Sequence, residues 1–437
     1  MTPAELRARI DAAPMSAVQR RVVLVTFLLS MLDGYDVLAM TFVAPQLSLA
    51  WGLGKAAVGA LLAAGLAGMA AGALLLAPLA DAIGRRRMIF AALALMTAGS
   101  LLSALAASVP ALTAARIVTG LGIGACVAVI NPLAAEFSNA RRRPLALALT
   151  AMGYPLGGLF GGVVAGVLLK LAGWQWVFAA GSGFALLLLP AALAFLPESI
   201  AYLLARGGAA NLARLNAVLA RCGHPQLDTS APAPREDARG YRALAAPRLR
   251  MTTLRLSLVS VLHAAAAYFV LSWLPQMIGD MGFSASAASY TAAGLSLSGI
   301  VGGLLVGAVA QRHGVTRPTA ACIALLAAAL AGFGTAPASL APLALLALLC
   351  GFALFGSAAG FFGVVALSFP DAARASGTGL VSGAGRISSA VAPLMAGMMF
   401  EAGLGRAPVA ASFALCAIAA ALLLLAHPTG ARRGALP

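Results

Sequence analysis

Two aspartates stand three residues apart inside an apolar run, in Met31-Leu32-Asp33-Gly34-Tyr35-Asp36. On a helix that spacing puts both carboxylates on one face. A carboxylate at the centre of a bilayer costs about 2.5–3.5 kcal/mol on insertion scales. Any apolar residue would insert better, so the pair predicts work that only a carboxylate performs. Burial penalises the ionised form, and a group poised between two protonation states can carry a proton. The alternative is a fixed structural ion pair. Three further ionisable residues lie in or at the end of apolar runs. Arg116 stays charged in any protein and can clamp a carboxylate bidentately, or neutralise Asp36, or exchange one partner for the other. Arg386 is the leading candidate to hold a substrate carboxylate, against a structural bond to backbone carbonyls. Glu136, just ahead of Asn139 and Arg141-Arg142-Arg143, fits either a proton relay or a bridge to those arginines. Tyr154, Trp273 and Tyr35 are the rings kept as candidates to stack on an aromatic substrate. His263, deep in a later run, could titrate near neutral pH or remain a neutral hydrogen-bonded ring.

The elements that position these residues follow from composition. The chain has 437 residues, 61% of them hydrophobic and only 10% charged. Soluble proteins carry roughly 25% charged residues, so this is an all-α polytopic membrane protein. Apolar runs long enough to cross a bilayer recur at 22–47, 57–80, 88–107, 111–135, 144–168, 174–196, 254–279, 286–310, 318–335, 338–364, 375–400 and 405–427. Twelve spans are therefore expected. Asp33 would lie about 16 Å and Asp36 about 21 Å from the cytoplasmic end of the first, near the midplane.

Charge placement supports that count. With a cytoplasmic N-terminus, 24 of the 29 basic residues fall in inner segments and only Lys55, Lys170 and Arg406 in outer loops. Arg116 and Arg386 are the two inside spans. Both termini are thus expected in the cytoplasm. The net charge of +16 is spread over short loops rather than one face, which argues against nucleic acid. The organisation reads as a cytoplasmic segment 1–21, a six-helix half 22–196, a central cytoplasmic loop 197–253, a second six-helix half 254–427 and a tail 428–437. Ser230-Ala231-Pro232-Ala233-Pro234 in the loop is expected to be poorly ordered. Glycine-dense spans 5 and 11 occupy matching places in the two halves, as does a loop repeat after spans 2 and 8. Such a 6+6 layout is expected to hold its substrate near the midplane.

The loop Leu79-Ala80-Asp81-Ala82-Ile83-Gly84-Arg85-Arg86-Arg87 resembles the signature between spans 2 and 3 of the major facilitator superfamily. Within it, Asp33-Gly34-Tyr35-Asp36 resembles the Asp-Gly-aromatic-Asp motif of the aromatic acid:proton symporters. Arg116 to Gly124, Tyr268 to Pro275, and Gly385-Arg386-Ile387 with Pro393 resemble their spans 4, 7 and 11. Leu196-Pro197-Glu198-Ser199 is shared more widely, sugar porters included. The second loop copy departs from the pattern, with Gln311 for the usual acid. The resemblance implies a major facilitator fold and a cytoplasmic gate at Asp81, Arg85 and Arg87, with Asp81 near a helix N-terminus.

The expected function is uptake of an aromatic or related small organic carboxylate, coupled to protons at Asp33, Asp36 or Glu136, with substrate contacts from Arg386, Arg116, Tyr154, Trp273 and Tyr35. The alternatives are a drug–proton antiporter, a sugar or dicarboxylate symporter, or a non-transporting sensor. Intramembrane arginines favour an anion, and no signalling domain is evident. No cofactor or metal is expected, since neither a phosphate-binding Gly-rich loop nor a Cys or His cluster occurs. Nor is an enzyme, because no nucleophile–base constellation is visible. The expected setting is a monomer in a bacterial inner membrane, with protons and a small organic anion as partners.

Overall fold

The computed structural model describes residues 3–228, 244 and 246–427. Sixteen helices and no strand occur among the described residues. A short helix α1 (Pro3–Ala12) precedes α2 (Ala17–Trp51), which carries the acid pair. Then come α3 (Lys55–Leu75), α4 (Ala77–Ile83), α5 (Arg85–Ala104), α6 (Val109–Glu136), α7 (Arg143–Leu171) and α8 (Trp174–Phe195). Two short helices, α9 (Ile200–Arg206) and α10 (Ala209–Cys222), follow in the central loop. The second half holds α11 (Pro247–Asp280), α12 (Ala285–His313), α13 (Thr316–Thr335), α14 (Leu340–Ser368), α15 (Asp371–Glu401) and α16 (Arg406–Leu425).

Each expected span coincides with one long helix. Eleven of these are long and apolar enough to cross a membrane by length and composition. The twelfth, α15, has 31 residues but is more polar, because Arg374, Arg386 and a series of serines and glycines fall within it. Differences from the sequence reading are confined to the ends. Span 2 stops at Leu75 and a separate helix starts at Ala77, with a proline in its first turn that suits a helix start. The N-terminal segment and the central loop carry helices of their own. The stretch Ser230–Pro234 and the tail 428–437 lie outside the described residues.

Leucines such as Leu74, Leu75, Leu187 and Leu422 are exposed on the outer surfaces of the helices. In lipid that surface is solvated, so helix association relies instead on close packing and interhelical hydrogen bonds.

The chain divides into two compact units. One draws on Met1–Val37, Gly68–Gly157 and Gln175–Glu236; the other on Leu38–Ala67, Gly158–Trp174 and Asp237–Pro437. In the first, α5 lies against α6; in the second, α12 packs on α14, α11 on α15 and α13 on α16.

Candidate functional site

Helix packing places the acid pair in the first unit. A Cβ added to Gly34 would overlap the backbone carbonyl of Tyr154, and one added to Gly157 would overlap that of Met31. The glycine between the two aspartates thus lets α2 and α7 touch backbone to backbone, with Tyr154 beside the acids. Both carboxylates are buried. Asp33 is 5% and Asp36 1% exposed.

Asp36 and Arg116 are brought together as the sequence predicts, but through the main chain. The Arg116 guanidinium donates from Nη2 to the Asp36 carbonyl at 2.7 Å and lies over the Phe178 ring at 5.3 Å. Ser100 Oγ on α5 donates to Asp36 Oδ1 at 2.9 Å. Asp36 Oδ2 and Arg116 Nε and Nη1 are buried with no hydrogen-bond partner. A guanidinium and a carboxyl group therefore share one buried pocket with bonding capacity unused on both sides. Buried polar groups are normally satisfied, so these exceptions single the pocket out. Ser100 gave no signal in the sequence, since a serine in an apolar helix is commonplace.

Two aromatic candidates have their polar atoms engaged within their own units. Tyr35 is 1% exposed and turned into the unit, where its hydroxyl donates to the Val177 carbonyl at 2.7 Å and its ring meets Phe184 edge-on. Trp273, in the second unit, is fully buried; its indole N–H donates to the Pro393 carbonyl at 3.0 Å and its ring packs on Phe400. Both rings spend their polar atoms on helix–helix bonds and hold helices together.

Glu136 and the loop motif form a separate cytoplasmic network in the first unit. Glu136 pairs with Arg85 and accepts from Ser199 Oγ at 2.7 Å. The expected bridge to Arg141–Arg143 is absent, because Arg143 pairs instead with Asp11 of α1. Arg7 completes the bracing of α1 by donating to the carbonyls of Ala135, Glu136 and Ser138 at the end of α6. Asp81 and Arg87 are exposed, with Asp81 in electrostatic range of Arg85. The carboxylate at the helix N-terminus is that of Glu198 rather than Asp81: Glu198 Oε1 accepts from the Arg86 backbone N–H at 3.0 Å. Gly84 has φ +106°, and a side chain there would strike Glu198. The sequence marked Pro197-Glu198-Ser199 without assigning this cap, which favours an anion for the usual dipole reason.

In the second unit, Arg386 is half-buried on α15, and its Nη1 is sealed with no hydrogen-bond partner. Farther along, Lys55 Nζ meets Asp280 Oδ1 at 2.5 Å, and Glu401 Oε2 accepts from the Ala56 N–H at 3.1 Å at the start of α3. These contacts tie the start of α3 to the ends of α11 and α15.

A membrane-embedded helical carrier with buried charges is the class that this fold and these pockets define. The major facilitator superfamily model matches residues 23–356 and 256–436, and the chain belongs to that superfamily. The gallate transporter of Pseudomonas putida is 31% identical over 430 residues, covering 97% of this chain and 95% of that one. The 4-hydroxybenzoate transporter PcaK of Pseudomonas aeruginosa is 32% identical over 392 residues, covering 88% and 87%. Among solved structures, the xylose transporter XylE from E. coli, in a partially occluded inward open conformation, superposes with a TM-score of 0.71 at 19% identity, covering 96% of this chain and 100% of that one. The chain is a multi-pass membrane transporter of this superfamily.

Proposed function

We propose that the protein takes up an aromatic carboxylate by symport with protons, through alternating access. The observation that carries the reading is the sealed constellation of Asp36, Ser100 and Arg116 beside Asp33. An isolated charge in such a pocket is costly, so its protonation and its partners must change together. A proton on the acid pair and an anion on Arg386 each relieve one uncompensated charge, and either alone leaves the other. That is the origin of coupling. Relatives named for gallate and 4-hydroxybenzoate supply the substrate class. The arginine distribution supports cytoplasmic termini, and relatives from Pseudomonas support a bacterial inner membrane as the setting. Protons are the coupling ion, no cofactor is needed, and one chain suffices.

The test is uptake of labelled aromatic and aliphatic acids into proteoliposomes, with and without an imposed inward proton gradient. Gradient-driven accumulation of an aromatic acid, lost in Asp33→Asn and Asp36→Asn, is the expected result. Uptake of no acid, with gradient-driven loss of a preloaded hydrophobic cation, would make the protein an exporter instead.

A further inference from the structure

His263 is a buried imidazole that the coupling mechanism does not use. It sits in the middle of α11 and is 7% exposed. Its Nε2 lies 2.8 Å from Ser357 Oγ on α14. The Ser357 hydroxyl donates to the Leu354 carbonyl at 2.9 Å, so its hydrogen is taken. Oγ must then accept, and Nε2 must carry the proton. In a neutral imidazole the other nitrogen is then an acceptor. Nδ1 makes no hydrogen bond among the described residues and is not one of the fully sealed unpaired atoms. The ring is held in place by Phe361, 6.3 Å away between centroids.

Arg386 stands at nearly the same depth in the same unit. Helices α11 and α15 touch there: Ser388 Oγ donates to the Val261 carbonyl at 2.8 Å, and a Cβ on Gly385 would come 2.5 Å from Ser260 Oγ. Counted from the Val261–Ser388 contact, His263 and Arg386 are offset by four residues, about 6 Å at 1.5 Å per residue; counted from Ser260–Gly385, by two residues, about 3 Å. A guanidinium with an unused donor and an imidazole with an unused acceptor thus stand at similar depth on touching helices.

We propose that His263 determines substrate specificity by accepting a hydrogen bond from a ring hydroxyl of the substrate through Nδ1, while Arg386 holds the carboxylate. Ser357 is the positioning residue that fixes the tautomer. The inference rests on the aromatic carboxylate reading above and narrows it to hydroxylated rings. An acid without the hydroxyl leaves that acceptor without a partner on the ligand, and sites built to bond a hydroxyl reject analogues that lack it.

Calorimetric titration of the purified protein with benzoate, 3-hydroxybenzoate and 4-hydroxybenzoate tests this. The wild type should bind at least one hydroxybenzoate about tenfold tighter than benzoate. His263→Gln places an amide near the Nε2 position, keeps the Ser357 contact and removes the acceptor at Nδ1. It should erase the preference and shift benzoate affinity by less than about threefold. His263→Asn, with an amide oxygen near the Nδ1 position, should retain part of the preference. If His263→Gln does not fold, Ser357→Ala serves instead: it frees the tautomer and should reduce the preference while benzoate still binds. Equal wild-type affinity for all three acids, or equal loss for all three in the variants, would overturn the specificity role alone. A wild type that binds none of the three would overturn the aromatic carboxylate reading with it.

Discussion

Replacing Asp36 by Asn tests whether the buried pair is electrostatically compensated. Asn has nearly the same shape and can still accept from Ser100, and the Arg116 bond to the residue-36 carbonyl involves no side chain. What the substitution removes is the negative charge. Arg116 is 1% exposed, with Nε and Nη1 already lacking partners. It cannot shed its proton, so it is left as an uncompensated buried cation. Removing one member of a buried pair typically costs about 3–5 kcal/mol. Arg116→Gln should cost less, because a lone carboxylate escapes by taking up a proton. The double variant Asp36→Asn/Arg116→Gln leaves two neutral amides, and should recover about 2 kcal/mol relative to Asp36→Asn alone.

Thermal melting in nanodiscs supplies the ranking. The expected order of melting temperature is wild type, then Arg116→Gln and the double variant, with Asp36→Asn lowest. Gradient-driven accumulation should be lost in all three variants. A double variant that melts no higher than Asp36→Asn would refute charge compensation as the reason these residues share a pocket. So would an Asp36→Asn protein as stable as the wild type.

Three further outcomes are expected. Gly34→Ala should destabilise the protein by about 1–3 kcal/mol or prevent folding, read as yield of monodisperse protein, because the new methyl meets the Tyr154 backbone, which cannot rotate away. On the proposed topology, Asp280→Asn/Glu401→Gln should loosen the outer ends of the helices. A Ser289→Cys reporter, fully buried in the wild type near Gly162, should then be labelled faster by a membrane-impermeant maleimide; melting should change little, since exposed pairs are worth about 0–1 kcal/mol. His224 lies in the central loop and His427 two residues past the end of α16; both are held below the ordinary histidine range, His224 by burial and His427 by burial and then by Arg255. Their folded forms favour the neutral ring, so the stability they contribute is complete above the unfolded pKa of about 6.5 and is lost as pH falls through it. Melting temperature should decline between pH 7 and 5, and His224→Gln/His427→Gln should flatten that decline.

The twelve long helices were legible because length and hydropathy are set by the bilayer itself. Their ends were less so. Hydropathy fades where the chain leaves hydrocarbon, yet backbone hydrogen bonding carries α2 out to Ala17 and Trp51. The acid pair was legible from its insertion cost, and Arg116 from its depth. Ser100 and Glu198 were not, since their roles depend on which helices touch, and those partners are 64 and 112 residues away in sequence. Tyr35 was legible as a neighbour of the acids but its hydroxyl partner was not: its ring edge and Asp36 Oδ1 would both meet a Cβ on Gly181 of α8, while the hydroxyl reaches the Val177 carbonyl 142 residues away. Nor did the sequence give the Pro393 partner of Trp273.

On the proposed mechanism, the same geometry lets Asp-Gly-Tyr-Asp act as one device rather than four residues. The acids would need a buried pocket, and burial at this depth is helped by helices in backbone contact. Gly34 supplies that contact on the face of α2 that meets α7. Tyr35 anchors another face to α8 through Val177. Asp36 reaches α5 through Ser100 and α6 through its own carbonyl. Three of the four residues thus tie α2 to four neighbours at one depth. On that mechanism, a proton arriving at Asp36 would act on its contacts with Ser100 of α5 and Arg116 of α6, and so on helix packing and not only on a local charge. Enlarging Gly34 should accordingly uncouple transport even in a protein that still folds and still binds its acid.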